Sequence, residues 1–315
     1  MSHSLFAASL AVIIASAGPA AALDKVRVGT PAADVFEFAI LDAGIGGGFF
    51  KKQGLDVQKI DFAGGAKEHQ AMAAGDLDFA VTTGADILFV IRGAPEKAIA
   101  AYGGAPVSLV ISARPDSGIQ SLADLKGRTV GATSMTSMTA WVVMELSRKS
   151  GWGPDGIRHV GVGGNAAMIA ALEAHNVDAI CGSTGTAYEL EAQGKGKIVA
   201  RANDKIKSFI ADMLTASDDM IRTRPDEVRG FLRAWFETVA FMKRDKASAL
   251  RLTQNATQLP PEIASKIYDD EMPSIRSDGH FDKTDFAAVK QSLIDLGLVT
   301  TMPPDSAMIR EDFLP

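Results

Sequence analysis

Apolar and polar positions along the chain fall into short runs that switch between two periods. Runs of β-branched and alternating residues read as strands at Val26-Arg27-Val28-Gly29, Val57 to Phe62, Ser108 to Ile111, Arg128 to Thr133, His159 to Val162, Lys197 to Ala200 and Ile210 to Ala216. Between them apolar residues recur at helical spacing, as at Met138, Trp141, Val142 and Leu146. Strands alternating with helices predict parallel sheets with helices on both faces. The last third is mostly helical. Pro225 suits a first helical turn, and Val228, Leu232, Trp235, Val239 and Met242 form one apolar face, expected to pack on the first lobe.

The pattern repeats at a spacing of about one hundred residues. Val28-Gly29-Thr30 returns as Val130-Gly131-Ala132, and Ala63-Gly64-Gly65-Ala66 returns as Gly163-Gly164-Asn165-Ala166. The third pair is Gly75-Asp76-Leu77-Asp78-Phe79-Ala80 with His175-Asn176-Val177-Asp178-Ala179-Ile180. Three pairs in register predict two related halves, each β-loop-α-β-loop-α-β. In such sheets ligands sit beyond the carboxyl ends of the strands, where the repeated loops fall. The expected division is residues 23–112 plus 210–315 for lobe one and 113–209 for lobe two. The chain would cross between lobes at Arg114-Pro115-Asp116-Ser117-Gly118 and again over Arg201 to Phe209.

The N-terminus adds a compartment. An apolar stretch from Leu5 to Ala15, a Gly18-Pro19 break and Ala20-Ala21-Ala22 read as a secretory signal peptide over residues 1–22, cleaved after Ala22. A short membrane anchor is the competing reading, although the stretch falls short of the roughly 20 residues a span needs. Composition then narrows the partners. With 32 Lys and Arg against 38 Asp and Glu, the formal charge of −6 offers no cationic field for nucleic acid or an anionic membrane. The single cysteine, Cys181, excludes an intramolecular disulfide and a Cys-only zinc site.

Candidate ligand residues lie on the repeated loops. Thr133, Ser134, Thr136 and Ser137 place four hydroxyls before a helix, where capping requires one and unpaired N–H groups attract acceptors. The equivalent loop of lobe one offers Thr30, Pro31 and Phe36, the last either stacking on a planar ligand or filling the core. Gly64, Gly65 and Gly164, with Asn165, would let backbone approach a solute. Thr82, Thr83 and Gly84, and Ser183 and Thr184, follow the third strand of each half. Lys67 is the leading cationic candidate and Arg114 the second. Without an Arg clamp, a neutral or singly anionic solute is expected.

Several segments together resemble the periplasmic solute-binding proteins of nitrate/sulfonate/taurine-type ABC importers. They are Gly48-Phe49-Phe50-Lys51-Lys52-Gln53-Gly54-Leu55-Asp56-Val57, Ala74-Gly75-Asp76-Leu77-Asp78-Phe79-Ala80, Ser121-Leu122-Ala123-Asp124-Leu125-Lys126-Gly127-Arg128-Thr129-Val130-Gly131 and Asp219 to Val228. The resemblance implies an α/β, periplasmic binding protein type II-like fold, two lobes with doubly wound sheets around a ligand cleft. It implies a monomeric periplasmic carrier that closes on a sulfonate-, pyrimidine- or carboxylate-like solute and docks on a permease served by an ATPase. An exported solute sensor is the alternative.

Enzyme signatures are missing from the sequence. The histidines show no metal-type pairing, and neither a metal nor a cofactor is expected. Gly44-Ile45-Gly46-Gly47-Gly48 imitates a dinucleotide fingerprint but follows a helical pattern instead of a strand. The related thiamine-pyrimidine synthases carry a cysteine run before the return strand and a histidine in the third loop of lobe one. Phe209 to Thr215 holds no Cys, and Gly84-Ala85-Asp86 no His.

Overall fold

The computed structural model describes residues 22–33 and 35–315. The expected signal peptide thus lies outside the described residues except for Ala22. Ten strands follow in chain order: β1 (Asp24–Thr30), β2 (Leu55–Asp61), β3 (Phe79–Thr83), β4 (Glu96–Ala101), β5 (Leu109–Ala113), β6 (Thr129–Ala132), β7 (Arg158–Gly161), β8 (Ala179–Ser183), β9 (Lys197–Arg201) and β10 (Asp212–Ser217). They form two mixed sheets of the same design, ordered β2-β1-β3-β10-β4 and β7-β6-β8-β5-β9. In each, three parallel strands are followed by one antiparallel strand that arrives from, or leads away from, the other lobe.

The repeat has a physical cause at its aspartates. Asp78 accepts the Arg27 N–H at 2.7 Å, tying the turn before β3 to β1, and Asp178 accepts the Thr129 N–H at 2.8 Å, tying the turn before β8 to β6. Each carboxylate satisfies a backbone donor at a strand edge and so fixes the start of the third strand against the first. Register agrees, with Val28 opposite Phe79 and Val130 opposite Ala179.

One expected crossing is displaced. Leu109–Ala113 pairs antiparallel with β8 and β9, so it belongs to the second sheet, and the first crossing runs between Ala101 and Leu109. An apolar run carries no mark of which sheet it joins, and the Gly103-Gly104 pair was the true punctuation. Arg114, expected at that crossing, instead donates from Nη1 to the Leu172 and Val177 carbonyls at 2.8 and 3.2 Å within the second lobe. The two crossing segments run side by side: Ala211 N–H donates to the Gly104 carbonyl at 2.7 Å, and Gly103 N–H to that of Asp212 at 3.1 Å.

The helical remainder covers both lobes. The helix Pro225–Arg244 lies on the first, with Phe231 stacked on Phe79 at 4.2 Å and Trp235 against Tyr102 at 4.9 Å. The helix Lys283–Asp295 reaches the second, where Ser292 accepts the Trp141 indole N–H at 3.1 Å. Trp141 also stacks on Phe209 at 4.1 Å. The apolar face of Val228, Leu232, Trp235, Val239 and Met242 thus packs on lobe one as expected, while the last helix also reaches lobe two. Gly44–Gly46 ends the helix Ile40–Gly46 and follows no strand, with a Cβ at Gly44 only 2.5 Å from the Phe50 ring.

Candidate functional site

The carboxyl ends of the parallel strands of both sheets open onto one cleft. Its inner chamber is narrow, with a volume of about 80 Å³, and a wider vestibule of about 690 Å³ shares Pro31, Ala32, Thr133 and Asn165 with it. Equivalent glycine loops meet at the mouth. A Cβ at Gly64 would lie 3.4 Å from Thr133 Oγ1, and one at Gly164 would lie 3.9 Å from the Ala63 Cβ. The lobes are thus nearly in contact there, and side chains at Gly64 or Gly164 would crowd the opposite lobe.

Nine of the expected residues line this space: Pro31, Gly64, Gly65, Thr83, Thr133, Gly164, Asn165, Ser137 and Ser183. Ser137 and Ser183 begin the helices Met138–Lys149 and Thr184–Ala192, and each hydroxyl accepts a backbone N–H of its own first turn. Ser137 also shares a hydrogen bond with Thr139 at 2.9 Å, and Thr139 accepts the Thr133 N–H at 3.0 Å. The hydroxyl-rich loop is therefore a preorganised wall, built in part to cap its helix.

The other expected residues stand elsewhere. Phe36 is core, edge-on to Tyr268 at 6.0 Å. Thr30 donates to Asp61 at 2.6 Å behind the sheet edge, and Thr184 donates to the buried Glu271. Lys67 is exposed and absent from both linings. Ser134 and Thr136 sit outside the cleft, since the loop turns them to its outer side, and their own hydrogen bonds stay within it. Gly84 packs against the crossing segment, where a Cβ would lie 1.8 Å from the Ile210 carbonyl oxygen. Thr82 is fully buried in a polar chain described next.

The floor of lobe one carries carboxylates that sequence reasoning missed. Asp86 lines the chamber, and one of its oxygens accepts the Thr83 N–H at 3.1 Å, the Thr82 hydroxyl at 2.8 Å and the Thr83 hydroxyl. Its other oxygen is buried without a partner among the described residues and lies 2.8 Å from where a Gly65 Cβ would stand. Behind it, Thr82 contacts His69 Nε2 at 3.0 Å, and His69 Nδ1 reaches Glu96 at 2.7 Å. Burial alone would lower the His69 pKa, but the Glu96 hydrogen bond and surrounding carboxylates outweigh it and raise the value to about 9. His69 is therefore a buried cation at neutral pH, oriented by Glu96 and supporting Asp86 through Thr82.

Asp212 is the second missed carboxylate. It opens β10 opposite Thr83, faces the chamber, and is about 6% exposed. Desolvation, followed by the nearby Glu37, holds its carboxyl well above the usual range. Glu37 and Glu271 lie buried behind it, both raised chiefly by burial. Val35, Phe38, Leu109 and Met138 complete an apolar surround. Asp86 was legible as an N3 acid after a Thr cap, Thr83-Gly84-Ala85-Asp86; no local signal marks Asp212.

A family model described as NMT1/THI5 like matches residues 36–249. The chain belongs to the NMT1/THI5-like family. No curated protein matches it in sequence. Among solved structures, this NMT1/THI5-like chain is similar to the alkanesulfonate-binding protein SsuA of Xanthomonas axonopodis pv. citri, bound to MOPS. The TM-score is 0.79 at 16% identity, over 93% of this chain and 100% of that one. A Candida albicans gene product described as having the generic periplasmic binding protein fold gives 0.78 at 14%, over 92% and 97%. The nitrate-binding protein NrtA of Synechocystis PCC 6803 gives 0.74 at 14%, over 92% and 87%. The chain has the periplasmic binding protein fold.

The third-loop comparison with the synthases takes a definite form in three dimensions. His69 reaches the third-loop region from its helix, yet it is 2% exposed and absent from the cleft lining. Cys181 is fully buried in β8, and desolvation pushes its thiol to about 12. Among the described residues no cluster of His, Cys, Asp or Glu has a metal-holding arrangement, and no helix is long and apolar enough to cross a membrane.

Proposed function

We propose that the protein is the solute-binding component of an ABC importer of the sulfonate and nitrate type. It is exported to the periplasm and acts there as a monomer, taking a small solute into the cleft and delivering it to a permease and its ATPase. The observation that carries this reading is the cleft itself. Two sheets of like topology place their loops around one chamber, and two hydrogen-bonded crossing segments connect them. Such a connection forms a waist about which the lobes can hinge, with the helical remainder packed on both lobes beside it. The similar proteins named for sulfonate and nitrate binding support the same use of the fold.

Catalysis is not part of the proposal. The nearest approach to a nucleophile with a base is Thr82 beside His69 and Glu96, and Thr82 is fully buried with its hydroxyl donated to Asp86. No reacting group reaches that oxygen. The decisive assay reconstitutes the chain with its permease and ATPase in proteoliposomes. ATP hydrolysis that rises only when both chain and solute are added supports delivery; hydrolysis indifferent to the chain contradicts it.

A further inference from the structure

The cleft has two unlike sides. On the lobe-one floor stand Asp86 and Asp212; the vestibule has a further carboxylate, Glu189, on the lobe-two helix Thr184–Ala192. Among the described residues neither chamber is lined by a Lys, Arg or His. The Asp212 carboxylate, more than nine-tenths buried, has no hydrogen-bond donor among the described residues and faces the space directly. On lobe two the wall consists of hydroxyls at the starts of two helices, Ser137 and Ser183, with Thr133 beside them.

We infer that the solute carries a protonated nitrogen, as an ammonium, amidinium or amino-heterocycle cation, and binds with that nitrogen between Asp86 and Asp212. This deepens the solute-capture reading above and rests on it. Asp212, buried without a donor, is costly to ionise unless something compensates the charge, and no side chain does so. Desolvation has already pushed the Asp212 carboxyl upward, which is the state a ligand cation reverses. Gly65 keeps the space beside the unpaired Asp86 oxygen free, because any side chain there would meet it at 2.8 Å. The helix starts of lobe two attract acceptors, so they take oxygen or ring-nitrogen acceptors at the far end of the same solute. A fully anionic solute would find those partial charges on one side only, with carboxylates opposite and the nearest cation, His69, set behind Asp86 and outside both linings.

The test is a charge series on fixed skeletons, measured by calorimetry and thermal shift on the mature chain at neutral pH. One set is benzamidine, benzamide, benzoate and benzenesulfonate; the other is propylamine, propionamide, propionate and propanesulfonate. The cation of at least one set is expected to bind about tenfold or more tighter than its anions. Asp212→Asn and Asp86→Asn should each remove that preference. Should Asp212→Asn fail to fold, Asp86→Asn and the wild-type series decide. An anion binding as tightly as its cation partner overturns the inference and leaves solute capture standing. A series in which no member binds at millimolar concentration counts against capture, and the inference falls with it.

Discussion

His69 occupies a position where charge is held inside the protein by geometry. Its ring lies between Glu96 at 2.7 Å and Thr82 at 3.0 Å, and stacks on Phe89 at 4.6 Å. Since its pKa in the fold is raised from 6.5 to about 9, the stabilisation is complete below about pH 6.5 and is lost as pH rises through 9. The span corresponds to about 3 kcal/mol. Urea unfolding of wild type between pH 6 and 10 should show that loss, and His69→Gln should be less stable at pH 6 and decline less steeply over the same window, the remaining slope coming from buried acids such as Asp212, Glu271 and Cys181; an equally steep decline in the variant would contradict the assignment. The same scale shows what sequence could and could not supply. Hydroxyls and glycines on loops were legible, because capping and close approach leave local signatures. Phe36 was open between ligand and core, because a loop aromatic carries no local mark of which it serves, and only the tertiary fold buries it edge-on to Tyr268. Asp212 left no trace, because its position depends on a strand arriving from the other lobe.

At the scale of elements, the repeated aspartates hold the halves in register. Asp178→Ala removes one backbone acceptor and should cost about 1 kcal/mol. Asp78→Ala should cost more, since Asp78 also binds the Arg27 guanidinium at 2.8 Å. Thermal melts of the two variants check the order. The strand and helix alternation and the repeat were readable because each unit carries its own periodicity and its own turn residues. The first crossing was misplaced because pairing across β5, β8 and β9 is a nonlocal choice. Gly84 makes that waist testable. Gly84→Ala drives a methyl group into the Ile210 carbonyl and should destabilise the chain by more than about 2 kcal/mol, whereas a melting temperature unchanged from wild type would show that the crossing segment yields freely.

For the whole molecule, the modest acidic charge acquires a location. The cleft is lined by small, hydroxyl and apolar residues over a carboxylate floor, and loops that the repeat makes equivalent meet at its mouth. Function therefore follows from duplication: each half supplies the strand ends, and neither half alone encloses the solute. Ala32 borders both chambers, so Ala32→Trp places a large side chain where they join. The most direct measurement is native mass spectrometry of wild-type and Ala32→Trp protein, each folded and purified from cells that export it. Wild type should carry one small-molecule adduct that Ala32→Trp lacks. A wild-type chain that never carries an adduct, or an Ala32→Trp chain carrying the same one, would contradict capture in the interlobe cleft.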